Sequence, residues 1–170
     1  GIRRPTTSQA LAAYWSDVPP TQFLDWLQVT RRVQVPERDA FDGLVLLDLP
    51  DHDSTEVSHQ LEVDRLITMV DLMVWVVDPQ KYADAALHDG YLRGLSSHST
   101  VMTVVLNQID RLTEEQRTSC IRDLRHVLDD EGLARTEILP VSTVTGEGMD
   151  QLRQHLAEAV SSRTAMANRL

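Results

Sequence analysis

The chain has 170 residues, enough for one domain with a sizeable core, and its 42% apolar content excludes a disordered tract. Twenty-six acids against 16 Lys and Arg give a formal net charge of −10. That sign excludes a phosphate-backbone binder, so no nucleic-acid partner is expected for this piece.

The lone cysteine, Cys120, allows no internal disulfide and sits in a helical pattern, where it reads as a small apolar side chain. The longest apolar stretch, 67–77, is broken by Asp71 and too short to cross a bilayer; the acidic surface and the lone cysteine fit a cytoplasmic location, which is the expectation.

In chain order, "QALAAYW" at 9–15 reads as an edge strand, Pro20-Thr21 as a helix start, and "RRVQV" at 31–35 as an alternating strand. Four short runs are apolar on both faces, as strands covered by helices require: 44–49, 72–77, 101–106 and 138–141. Between them, helical stripes are expected over 56–70 (Val63, Leu66, Ile67, Val70) and, more weakly, over 83–95. Thr113 with Gln116 three residues on predicts a capping box. The helix it opens presents Ile121, Leu124, Val127 and Leu128 and stops near Gly132. A last helix follows Gly148 and carries Leu152, Leu156, Ala159 and Val160. Strands alternating with helices predict an α/β fold: a doubly wound, mostly parallel sheet with helices on both faces.

In such sheets ligands bind beyond the carboxyl ends of the strands. Polar groups gather there after each run: Asp48-Leu49-Pro50-Asp51-His52, Asp78-Pro79-Gln80, Asn107-Gln108-Ile109-Asp110 and Ser142-Thr143-Val144-Thr145-Gly146. Any one of these is an ordinary solvated loop. Their order on successive strands is the signal. The remaining histidines, His59, His88, His98, His126 and His155, show no metal-ligand spacing, so zinc is not expected.

The series "RRPTT … LLDLPDHDS … VVLNQID … TGEG" resembles the Era-like small GTPase domains of the translation-factor-like (TRAFAC) class. Within that class it is similar to the YfjP-type branch of bacterial GTP-binding proteins, over nearly the whole chain from Arg3 to about Val160. The resemblance implies a P-loop GTPase-like fold, GTP or GDP as ligand and Mg²⁺ as cofactor. It implies that Asn107, Gln108 and Asp110 read guanine with the Ser142-Thr143 turn, and that Thr7 (in preference to Thr6) and Asp48 hold Mg²⁺. His52 falls where relatives orient the attacking water; a loop histidine with no role is the plain alternative. The protein partner is left unspecified, and the branch allows membrane association of the full-length protein.

The pattern departs from the family in four places. Asp51 stands for a glycine, Gln108 for a lysine and Thr143 for an alanine. No Gly-x-x-x-x-Gly-Lys-Ser/Thr loop exists, and the single lysine, Lys81, lies in "DPQKYA". The expectation is therefore a partial GTPase domain, residues 1–40 holding switch I and an irregular region and 41–163 the α/β core. The first strand and phosphate loop would precede Gly1. Two other readings compete with a GTPase: a degenerate GTPase-like binding module without turnover, and a metal-dependent phosphohydrolase using Asp48, Asp51, His52 and Asp53.

Overall fold

The computed structural model describes residues 10–36, 39–48, 69–80 and 102–167. The helix expected over 83–95, and all but the last two residues of the one expected over 56–70, lie outside these. The chain forms two compact units: Gly1–Met69 with Leu156–Leu170, and Val70–His155.

The first unit holds β1 (Leu11–Tyr14), α1 (Thr21–Trp26), β2 (Arg31–Gln34), a 3-10 turn (Asp39–Phe41) and β3 (Val45–Asp48). The sheet order is β2-β1-β3, with β1 parallel to β2 and antiparallel to β3. The segment read as an edge strand is thus the central one. Alanine is a poor strand former, which weakened the signal. Its smallness is what the packing uses: Ala12 is fully buried against Leu24 of α1 and Val29, with Val45 and Leu47 completing the cluster. Arg32 ties β2 to α1, its Nε donating to the Val29 carbonyl at 2.7 Å and its Nη2 to Asp25 Oδ1 at 2.5 Å.

The second unit holds β4 (Met73–Val77), β5 (Met102–Leu106), a 3-10 turn (Ile109–Arg111), α2 (Glu114–Asp130), β6 (Glu137–Pro140) and the start of α3 (Met149–Ala167). Its strands are parallel in the order β4-β5-β6. Among the described residues three of four strand pairings are therefore parallel, the mostly parallel α/β arrangement predicted. Every residue of β5 is buried, as a sheet covered on both faces requires. The register pairs Val105 with Leu139, which puts them on one face, and with Val141 they pack beneath Met149 and Leu152 of α3. The runs in β3 and β4 are less enclosed than their apolar character predicts: Leu46 is 41% exposed and Val76 59%.

The caps of α2 follow from sequence. The Thr113 hydroxyl accepts from the Gln116 N–H at 3.3 Å, and Gln116 Oε1 accepts from the Thr113 N–H at 2.9 Å. At the other end Leu133 N–H reaches the Leu128 carbonyl and Gly132 N–H the Asp129 carbonyl, a Schellman closure. The buried stripe is Cys120, Leu124 and Leu128. Ile121 and Val127, expected on it, flank it half-buried.

Among the described residues of this unit, a chain of polar contacts joins β5, α3 and β6. Thr103 Oγ1 on β5, 1% exposed, lies 2.7 Å from His155 Nε2 on α3, and His155 Nδ1 lies 3.0 Å from Glu137 Oε2 on β6. With Nδ1 donating to the carboxylate, Nε2 accepts the threonine hydroxyl. His155→Leu strands that hydroxyl and should cost about 1–3 kcal/mol in urea unfolding. Thr103→Val should cost less, because the half-buried imidazole keeps access to water. Equal losses would contradict this asymmetry.

No described helix is long and apolar enough to cross a membrane.

Candidate functional site

Strands β4, β5 and β6 run parallel, so the segments that leave them emerge at one edge of the sheet. After β4, Asp78 Oδ1 accepts from the Gln80 N–H at 2.9 Å and folds the chain into a turn. After β5, the Asn107 N–H extends the ladder to the Val77 carbonyl at 2.9 Å. The side chain of Asn107 turns back on the loops. Its Oδ1 accepts from the Gln108 N–H at 2.8 Å and the Thr143 N–H at 3.4 Å, which spans the β5 and β6 segments.

Gln108 has φ 64°, the left-handed region, where a side chain costs about 1–2 kcal/mol. Such strain is held by its surroundings. Here it turns the chain sharply into the 3-10 turn, whose Ile109 is buried and whose N–H reaches the Val141 carbonyl at 3.3 Å. Asp110 is thereby carried to the surface, next to the β6 loop.

Ser142 is the hub of that loop and is fully buried. Its Oγ donates to Asp110 Oδ1 at 2.6 Å and accepts from the Val144 and Thr145 N–H groups at 3.2 and 3.1 Å. Asp110 is thus oriented through one oxygen while the residue stays exposed. The Ser142-Thr143 turn carries two backbone N–H groups that could face a ligand. The Ser142 N–H is committed to the Glu147 carbonyl at 2.8 Å. That leaves the Thr143 N–H, whose bond to Asn107 is long, at 3.4 Å.

Asp48 ends β3 in the other unit and is exposed, its register partner being Leu11. Thr7, Asp51 and His52 lie outside the described residues. Among the described residues no three His, Cys, Asp or Glu side chains gather as a metal site. The sequence reading missed the Ser142 to Asp110 bond and the ion pair of Arg117 with Glu147. The second joins residues 30 apart and leaves no local pattern.

No family model matches the sequence, and no curated protein matches it. Among solved structures, the chain is similar to translation elongation factor SelB from Methanococcus maripaludis in complex with the GTP analogue GPPNHP. The identity is 17%, the TM-score 0.56, and the match covers 88% of this chain and 33% of that one. It is also similar to a bacterial selenocysteine-specific elongation factor, EF-Sec, at 18% identity and TM-score 0.55, over 89% of this chain and 29% of that one. These likenesses show the fold. The chain spans about a third or less of the length of either factor.

Proposed function

We propose that this chain is the base-reading part of a guanine-nucleotide-binding domain, and that the full-length protein is a GTPase. The observation that carries the reading is the 2.6 Å bond from Ser142 Oγ to Asp110 Oδ1 beside Asn107, which bridges the same two loops. A carboxylate only accepts, so Asp110 suits the adjacent N1–H and exocyclic amine of guanine and disfavours adenine, which presents an acceptor at N1. The Thr143 N–H supplies a donor for the O6 carbonyl. Gln108, half-buried, offers a shorter stem than lysine to cover the ring. The fold shared with a factor solved with a GTP analogue supports the same reading.

The finer assignment, an Era-like domain of the YfjP-type branch, rests on the motif series given above. Mg²⁺ belongs to the proposal through donor chemistry: Asp48 is an exposed hard-oxygen carboxylate at a strand end, suited to a cation that keeps several of its waters. Thr7 as its second ligand and His52 as the residue orienting water rest on the sequence alone. When bound, the ion would neutralise phosphate charge.

The test is base selectivity in the full-length protein. GDP should bind about 100-fold or more tightly than ADP by calorimetric titration, because adenine lacks the adjacent pair of N1–H and exocyclic amine that a carboxylate acceptor needs. Equal affinities would refute base reading.

A further inference from the structure

Resting on that reading, we propose that Arg117 and Glu147 are a positioning pair that sets Ser142 against Asp110 and so tunes recognition of the exocyclic amine of guanine. Arg117 lies in the first turns of α2; its Nη1 donates to Glu147 Oε1 at 2.5 Å and its Nη2 to Glu147 Oε2 at 3.2 Å. This is a two-pronged guanidinium–carboxylate pair, the geometry that fixes direction as well as distance.

Both ends are tied to the base loops. On one side, the Glu147 carbonyl accepts the Ser142 N–H at 2.8 Å, and the Gly146 N–H returns to the Ser142 carbonyl at 2.9 Å. Residues 142–147 therefore close on themselves, with the Glu147 side chain as their handle. On the other side, the Leu112 N–H bonds the Ile109 carbonyl at 3.1 Å, and the Arg117 N–H bonds the Thr113 carbonyl at 2.8 Å. The turn holding Asp110 thus runs through the Thr113 cap directly into the helix that carries Arg117. The circuit closes from Asp110 through α2, Arg117, Glu147 and Ser142 back to Asp110.

An exposed ion pair usually adds little. This one differs in geometry and in placement: the Arg117 side chain is 21% exposed, and Glu147 carries the backbone bond that orients Ser142. Hydrogen bonding to Glu147 raises the pKa of Arg117, the direction a close ion pair imposes.

The experiment measures GDP and IDP affinities and the melting temperature of the full-length protein, comparing wild type with Arg117→Met and Glu147→Gln. IDP lacks the exocyclic amine, so it loses one of the two bonds to Asp110 and depends less on the angle of the carboxylate. GDP affinity should fall about tenfold and IDP affinity about threefold or less, so the GDP/IDP ratio drops. Glu147→Gln keeps shape and an acceptor, and serves if Arg117→Met does not fold. An unchanged ratio, with both affinities or only the melting temperature lowered, would reduce the pair to a stabilising contact and overturn the inference. A wild type that does not prefer GDP to IDP would overturn the guanine reading itself, and the inference with it.

Discussion

In the full-length protein, Asp110→Asn should weaken GDP binding by about 100-fold, because the acceptor loses its charge and an amide donor faces the exocyclic amine, and raise the affinity for XDP. Xanthine carries a carbonyl where guanine carries the exocyclic amine. Asparagine presents one donor and one acceptor: its amide can donate to that carbonyl while its oxygen accepts from N1–H. The substitution preserves shape, and the amide oxygen can still accept the Ser142 hydroxyl, now bonded at 2.6 Å to Asp110. Because Asp110 is exposed, folding should be little affected. Competition binding with GDP, XDP and ADP reads the result. An unchanged order of preference would mean that Asp110 does not face the base.

The second large effect is on stability. Gly148 has φ +73°, and a Cβ there would lie 2.1 Å from the Pro140 carbonyl oxygen and 3.2 Å from Val141 Cα. Both neighbours are backbone and cannot rotate away. Gly148→Ala should therefore cost about 3 kcal/mol or more, the sum of left-handed strain and forced displacement, and lower the melting temperature by roughly 6–12 °C. Gly146→Ala is the control. Gly146 has a similar φ, +82°, but nothing within 4 Å of a Cβ. It should lose only the strain, about 1–2 kcal/mol. Equal losses at the two sites would show that the close approach carries no cost. Pro140 and Val141 lead directly into Ser142, so the displacement at Gly148 should also weaken GDP binding.

The parts legible in sequence are those set by neighbours along the chain. The Thr113 and Gln116 box, the stop at Gly132 and the buried run of β5 appeared at or near the predicted positions because each is decided within a few residues. Burial by face was less legible. Leu46 and Val76 lie in runs as apolar as β5, yet a run does not reveal what covers it. Strand position was misread at β1, where Ala12 is small because α1 packs close, a tertiary reason that looks like low propensity.

The same division holds at the candidate site. The order Asn107, Asp110, Ser142 on successive strand ends was visible in the sequence, and the fold brings the three together. Which N–H remained for a ligand was not, because it depends on the Ser142 bond to Glu147. His155 looked scattered because Thr103 is 52 residues away, and neither residue carries a local pattern that points to the other.

The most direct measurement is an amide-resolved NMR titration of the full-length protein with GDP and, in parallel, ADP. The account predicts that GDP shifts the Gln108, Asp110, Thr143 and Val144 amides, with the Thr143 N–H moving most as it exchanges its long bond to Asn107 for the base carbonyl, and that ADP leaves them in place. Shifts from GDP that spare the Asn107–Asp110 and Ser142–Thr145 segments, or equal shifts from both nucleotides, would contradict it.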